Sequence, residues 1–367
     1  MRTIEMELLI LLARINDIEN KKQDIIKIIK DNAIDWYKFI SYSTKSKLNG
    51  MVWKNIKKLK LVNCLPINIA RNYEFFYLGN KLRNAYITEE FSRIQKQFNE
   101  ENVKIFPLKG IHLLYNVYLA DMGVRQLNDI DILICKEEIS KVEKILNTLG
   151  YFQGHVVGNR IEALSRKENI VWKTKMNNLP PFHKVTNDDW CPILSIDSSF
   201  SFQYKMDKKN MDKIINRGIL KNGKWELDKV DMFLHLCCHL YKEASNATWI
   251  LLGNDLNLIK FCDIREFIQV EMDKEDMNRA IKRARIYDCQ EAVYFSLYYL
   301  EDIYKDHMYK DYISIFDISN TEFLHNYGKR EFGENQTWRK DFIERLFMDN
   351  RDELKGKKEF FNLIENE

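Results

Sequence analysis

Apolar residues recur at helical spacing through the first hundred positions. Leu8, Leu11, Leu12 and Ile15 mark one stripe, and Phe91, Ile94 and Phe98 mark another, the period of a helix that buries one face. The period changes after about residue 100. Short runs at 104–108, 129–135 and 193–202 alternate as strands do, and Ile170 to Lys175 predicts a further strand. Ile111 to Leu119 is spaced as a helix, and so is Ile139 to Leu149, which Gly150 closes as the residue favoured just past a helix end. Helical spacing returns with Val230, Phe233, Leu234, Cys237 and Tyr241, and again with Ala292, Phe295, Leu297 and Tyr298. No proline follows Pro192, so nothing in this part must break a long helix. Asp349 to Glu367 is highly charged and reads as a helix or a frayed tail. The pattern predicts an α+β chain in three regions: an N-terminal helical region at 1–100, an α/β core at 101–205 and a C-terminal helical region at 206–367.

The core region carries the candidate chemistry. In a strand over 129–135, Asp129 and Asp131 project to one face while Ile130, Ile132 and Ile134 project to the other. Two neighbouring carboxylates repel unless a cation sits between them. Mg²⁺, a hard ion commonly held by one or two carboxylates together with substrate phosphates, fits that pair, with Mn²⁺ as a substitute. Upstream, the strand at 104–108 ends at Lys109-Gly110 and a helix follows. A glycine there lets a phosphate approach the backbone amides of the helix start; its alternative role is a plain turn. Lys109 and Arg125 are the candidate phosphate ligands, because Arg grips phosphate oxygens with paired donors. Arg125 has the alternative of a salt bridge to Asp129.

Strand, glycine turn, helix and then a D-x-D strand is the order found in the DNA polymerase beta-like nucleotidyltransferase superfamily. More narrowly, "LKGIHLLYNVY…GVRQLNDIDILI" resembles a family of uncharacterised bacterial nucleotidyltransferases with a Lys-Gly, an Arg shortly before D-I-D and a hydrophobic strand end. The similarity continues through the Leu-Gly-Tyr corner at Leu149-Gly150-Tyr151, through Pro180-Pro181-Phe182-His183 and Pro192 to Asp197, and into Leu234 to Leu240 and Leu258 to Ile264, about residues 100 to 270 in all. The resemblance implies a small mixed sheet with helices on one face, flanked by helical regions. It also implies His183 near the nucleotide and Asp197 as a third metal-binding and catalytic carboxylate. Where the family usually has a histidine shortly after that aspartate, this chain reads Ser198-Ser199-Phe200, so Asp197 keeps the alternative of capping that turn. The implied activity is Mg²⁺-dependent transfer of an NMP group from an NTP, ATP favoured, to a hydroxyl of a protein or peptide, a small molecule or tRNA. The competing expectation is a catalytically degenerate module that binds NTP or RNA.

Charge adds one local feature. Lys and Arg number 57 against 54 Asp and Glu, which excludes a general polyanion binder. Between Trp36 and Tyr73, however, there are eight basic residues and no acid, interleaved with Tyr37, Phe39, Tyr42 and Trp53. A solvated lysine face over core aromatics is the favoured reading, and a phosphate or RNA contact is the alternative. Seven scattered cysteines within apolar runs read as reduced thiols. No apolar run is long enough for a membrane span and no leader pattern is visible, so a cytoplasmic protein without a membrane partner is expected. His235 and His239 lie four apart, but no glutamate follows His235 as a zinc protease helix requires, and the leucine-rich surroundings predict a packed helix.

Overall fold

The computed structural model describes residues 2–203 and 206–355. Of the charged C-terminal stretch, residues 356–367 lie outside the described residues. The chain divides into two compact units: residues up to Glu74 together with those from Phe233 onward, and Phe75–Met232.

The second unit holds a five-stranded mixed sheet. Its strands are β1 (Ile105–Pro107), β2 (Ile130–Ile134), β3 (Phe152–Gln153), β4 (Phe182–Val185) and β5 (Ile193–Ser199), in the spatial order β1-β2-β5-β4-β3. β2 and β5 run parallel; the other pairs are antiparallel. A parallel pair needs a long crossover, supplied here by everything from Cys135 to Pro192, including the helix Ile139–Thr148. Gly150, at φ +85°, ends that helix: Tyr151 N–H donates to Leu146 O and Gly150 N–H to Asn147 O, a Schellman closure.

One expectation fails in this crossover. Ile170 to Lys175 belongs to a helix, Arg166–Lys175, rather than a strand. Ser165 Oγ accepts from Glu168 N–H at 3.2 Å, and the Glu168 carboxylate accepts from Ser165 N–H at 2.7 Å. This capping box satisfies two donors that a helix start otherwise leaves open, and it outweighs the β-branched residues that follow. The helix expected from Ile111 is also shorter than its apolar pattern, spanning Lys109–Asn116.

Burial alternates along β5, whereas β2 is buried throughout. Ile130, Ile196 and Phe182 are register partners across β2, β5 and β4, and each is fully buried. They form a row directly beside the Asp131 and Asp197 positions. Ile196→Ala is expected to destabilise the protein by about 2–5 kcal/mol, from lost transfer energy plus the cavity left behind. Denaturant unfolding reads this, and a change under about 1 kcal/mol would mean the row collapses around the gap.

The other unit is helical. Its helices include Ile4–Leu12, Lys22–Asp31, Trp36–Lys45, Asn49–Lys58, Leu258–Glu271, Lys274–Ile286 and Gln290–Tyr304. Phe39, Tyr42 and Trp53 of the basic stretch are buried in it, whereas Tyr37 is 75% exposed. These three aromatics are therefore core, as their spacing suggests. His235 is buried in the helix Lys229–Ser245, its ring stacked on His239 at 6.2 Å, and His239 lies 3.4 Å from Glu243. No helix among the described residues is long and apolar enough to cross a membrane.

Candidate active site

Parallel pairing of β2 with β5 puts Asp131 and Asp197 in register. Side chains of register partners share a face, and neighbouring strands lie about 4.8 Å apart, so two carboxylates distant in sequence become neighbours. Asp129 stands just before β2, two residues from Asp131. β1 brings the cation: Leu108 N–H donates to Asp131 O at 2.9 Å, extending the β1–β2 ladder by one step. The next residue, Lys109, takes φ +41°, and its ammonium pairs with Asp131 Oδ1. A non-glycine residue in that region is strained, and here the strain accompanies a turn that carries the ammonium onto the carboxylate face.

The electrostatics are those of crowded charge. Burial pushes the Asp131 carboxyl well above the ordinary range, the Asp129 charge adds to it, Lys109 opposes it and Asp197 adds again. Burial alone would depress the Lys109 ammonium, but Asp131, Asp197 and Asp129 outweigh it and hold it above the usual lysine value. A lysine partner by itself would lower the Asp131 pKa; burial first, and then the Asp129 and Asp197 charges, outweigh it.

Gly110 makes room for Arg125. A Cβ built at Gly110 would lie 2.7 Å from Arg125 Nη1 and 2.7 Å from Leu127 Cδ2. Leu127 is buried and cannot swing away freely. Gly110→Ala is therefore expected to displace the guanidinium, costing about 1–3 kcal/mol in stability from overpacking. Denaturant unfolding of the variant checks this; an unchanged stability would mean that Arg125 and Leu127 move aside at no cost.

Of the remaining candidates, Asp197 accepts from Asn178 Nδ2 at 3.0 Å. Asn178 bridges to Ser199 of β5, so Asp197 is oriented by a side chain as well as by its strand. His183 shares the sheet face of Asp197, opposite Ser195 in the register, with its Nδ1 2.8 Å from Ser195 Oγ. Burial lowers its pKa and favours the neutral ring. The structure thus brings Asp129, Asp131, Asp197, Lys109, Gly110 and Arg125 to one end of the sheet and places His183 farther along the same face.

As the side chains stand, no three His, Cys, Asp or Glu groups among the described residues converge as a metal set. Lys109 and Asn178 engage the Asp131 and Asp197 carboxylates instead. The donors nevertheless suit a hard divalent ion: the acids supply oxygen ligands only, and their mutual repulsion is what such an ion relieves.

Sequence reasoning missed two contributors on the helix Ile67–Glu100. Asn84 Nδ2 donates to Met122 O and Arg125 O, both at 2.7 Å, while its Oδ1 accepts from Leu127 N–H at 3.3 Å. Tyr77 Oη donates to Asp121 Oδ1 at 2.6 Å, and Asp121 also accepts from Gly123 N–H. Both hold the segment that carries Arg125. Their sequence signal is faint: polar side chains within an amphipathic helix, one of them fully buried.

A family model described as an uncharacterised nucleotidyltransferase matches residues 32–305. No curated protein matches the chain. The matched span covers most of the chain, including both carboxylate strands and Lys109, and the protein belongs to this nucleotidyltransferase family.

Proposed function

We propose that this member of the family transfers an NMP group from a Mg²⁺-bound NTP, ATP favoured, to an acceptor hydroxyl, with Asp129, Asp131 and Asp197 as the metal-holding carboxylates. The observation that carries this reading is the parallel register of Asp131 with Asp197, with the Lys109 ammonium paired to Asp131. In the reaction the acceptor oxygen bonds to the α-phosphorus as the bond to the bridging oxygen breaks and pyrophosphate leaves. Mg²⁺, when bound, supplies Lewis-acid stabilisation of that charge. Asp197 accepts the hydroxyl proton as general base. Lys109 and Arg125 neutralise the phosphates, and Gly110 lets them approach the backbone. His183, neutral and bonded to Ser195, keeps the strand in place. A protein or peptide, a small molecule or tRNA remains the acceptor class proposed.

Titrating ATP, GTP, CTP and UTP separately by calorimetry, with and without Mg²⁺, tests the site. Wild type is expected to bind one nucleotide only with the metal, and the Asp129→Ala/Asp131→Ala variant to lose that binding. Metal-independent binding that survives in the variant would place the nucleotide elsewhere.

A further inference from the structure

We propose that Arg83 is a positioning residue that locks together the two segments entering the carboxylate strands; its catalytic consequence rests on the function proposed above. Arg83 lies midway along the helix Ile67–Glu100. Its Nε donates to Leu127 O at 3.1 Å, its Nη2 to Asn128 O at 3.1 Å and its Nη1 to Trp190 O at 3.0 Å. Asn128 immediately precedes Asp129. Trp190 stands three residues before β5, the strand of Asp197. One guanidinium therefore fastens the approach to both acidic positions.

The helix face around Arg83 is built for the two segments. One turn earlier, Gly79 receives the Trp190 ring: a Cβ there would lie 3.0 Å from Trp190 Cζ3. Asn80 Nδ2 donates to Gly123 O at 3.4 Å, and Asn84, one turn on, holds Met122, Arg125 and Leu127. Residues four apart lie on one helix face, so Gly79 and Arg83 seat the Trp190 segment while Asn80 and Asn84 seat the Arg125 segment. Arg83 joins the two ridges. A planar fork presents donors on three separate nitrogens at fixed spacing, one to each carbonyl, whereas the three donors of an ammonium diverge from a single nitrogen on a flexible stem. The β2–β5 ladder fixes the strands themselves; Arg83 fixes the unladdered residues before them, where Asp129 sits. An error near 1 Å in such a constellation can slow a reaction by about 10².

Arg83→Met keeps the stem and removes the donors, and Arg83→Lys keeps the charge. Hydrogen exchange followed by mass spectrometry on peptides covering 121–128 and 186–193 is expected to accelerate about tenfold or more in both segments of the Met variant, with Lys restoring only part of the protection. Mg²⁺–ATP affinity is expected to fall about tenfold in Arg83→Met. Exchange that accelerates in one segment only, in neither, or is restored fully by Lys would overturn the clamp. Joint acceleration with unchanged Mg²⁺–ATP affinity would overturn its role at the site. If wild type binds no nucleotide, the nucleotidyl-transfer reading fails, and the exchange result alone decides whether the two segments are locked together.

Discussion

Asp131→Asn is expected to slow nucleotidyl transfer by about 10³-fold or more, the several kcal/mol that a metal-held carboxylate contributes to charge stabilisation, without unfolding the protein. The amide keeps the size of the side chain and an oxygen to accept from Lys109. It removes a charge that the folded state holds at a cost, because burial, Asp129 and Asp197 push the Asp131 carboxyl above its ordinary value of 3.8. The sign of the pH effect follows. An acid whose folded pKa is raised binds more protons in the fold than when unfolded, so its contribution favours the fold at low pH and is lost as pH rises from the ordinary carboxylate value through the raised one. Metal-free wild type should lose this stability across that window, and Asp131→Asn should not. On the proposed function Mg²⁺ should reverse the trend in wild type, since the ion would bind the carboxylate form; its stabilising effect should grow with pH and level off once Asp131 is ionised. Thermal unfolding of both proteins with and without Mg²⁺, from pH 4 to 8, reads all of this. An equal Mg²⁺ stabilisation in wild type and variant would remove Asp131 from the metal site.

Asp131 was legible because alternation within one strand is a local property: Ile130, Ile132 and Ile134 share one face and Asp131 takes the other. Asp129 falls outside that argument, because β2 begins one residue after it. Pairing of Asp131 with Asp197 was not legible: it depends on β2 and β5 becoming parallel neighbours across a long crossover, which no periodicity encodes. The family resemblance implies Asp197, whereas its own surroundings also fit a cap on the Ser198-Ser199 turn. At Ile170 to Lys175 the β-branched residues misled because the controlling signal, Ser165 with Glu168, lay outside the run and acts through backbone donors. Arg83 and Asn84 stayed hidden for a related reason. On a helix, an Arg-Asn pair looks like a solvated face, and its acceptors are main-chain carbonyls, which no side-chain pattern announces. The family match covers both carboxylate strands, yet it identifies neither the metal nor the acceptor, which are properties of side chains and of surfaces grafted onto the fold.

Lys109→Met should show the second large effect, and its response to metal separates two roles for the lysine. Lys109 is the ammonium among three acids, with 16% of its side chain exposed against 9% for Asp131. Removing one partner of a nearly buried pair leaves uncompensated charge, and a loss of about 2–4 kcal/mol is expected after allowing for the partial exposure. If the three acids form a metal site, Mg²⁺ replaces the missing positive charge, so the rise in melting temperature on adding Mg²⁺ should be larger in Lys109→Met than in wild type. Affinity for the triphosphate should fall at the same time, because the metal repairs the carboxylates but not the lost phosphate contact. Backbone strain is a separate matter, since Lys109 holds φ +41°. Lys109→Gly removes the same charge while relieving about 1–2 kcal/mol of left-handed strain. It should therefore be more stable than Lys109→Met yet equally poor in phosphate binding. A Lys109→Met protein that Mg²⁺ stabilises no more than wild type would make the lysine a permanent structural counter-ion, and the three carboxylates would then be a salt-bridged cluster with no metal to recruit.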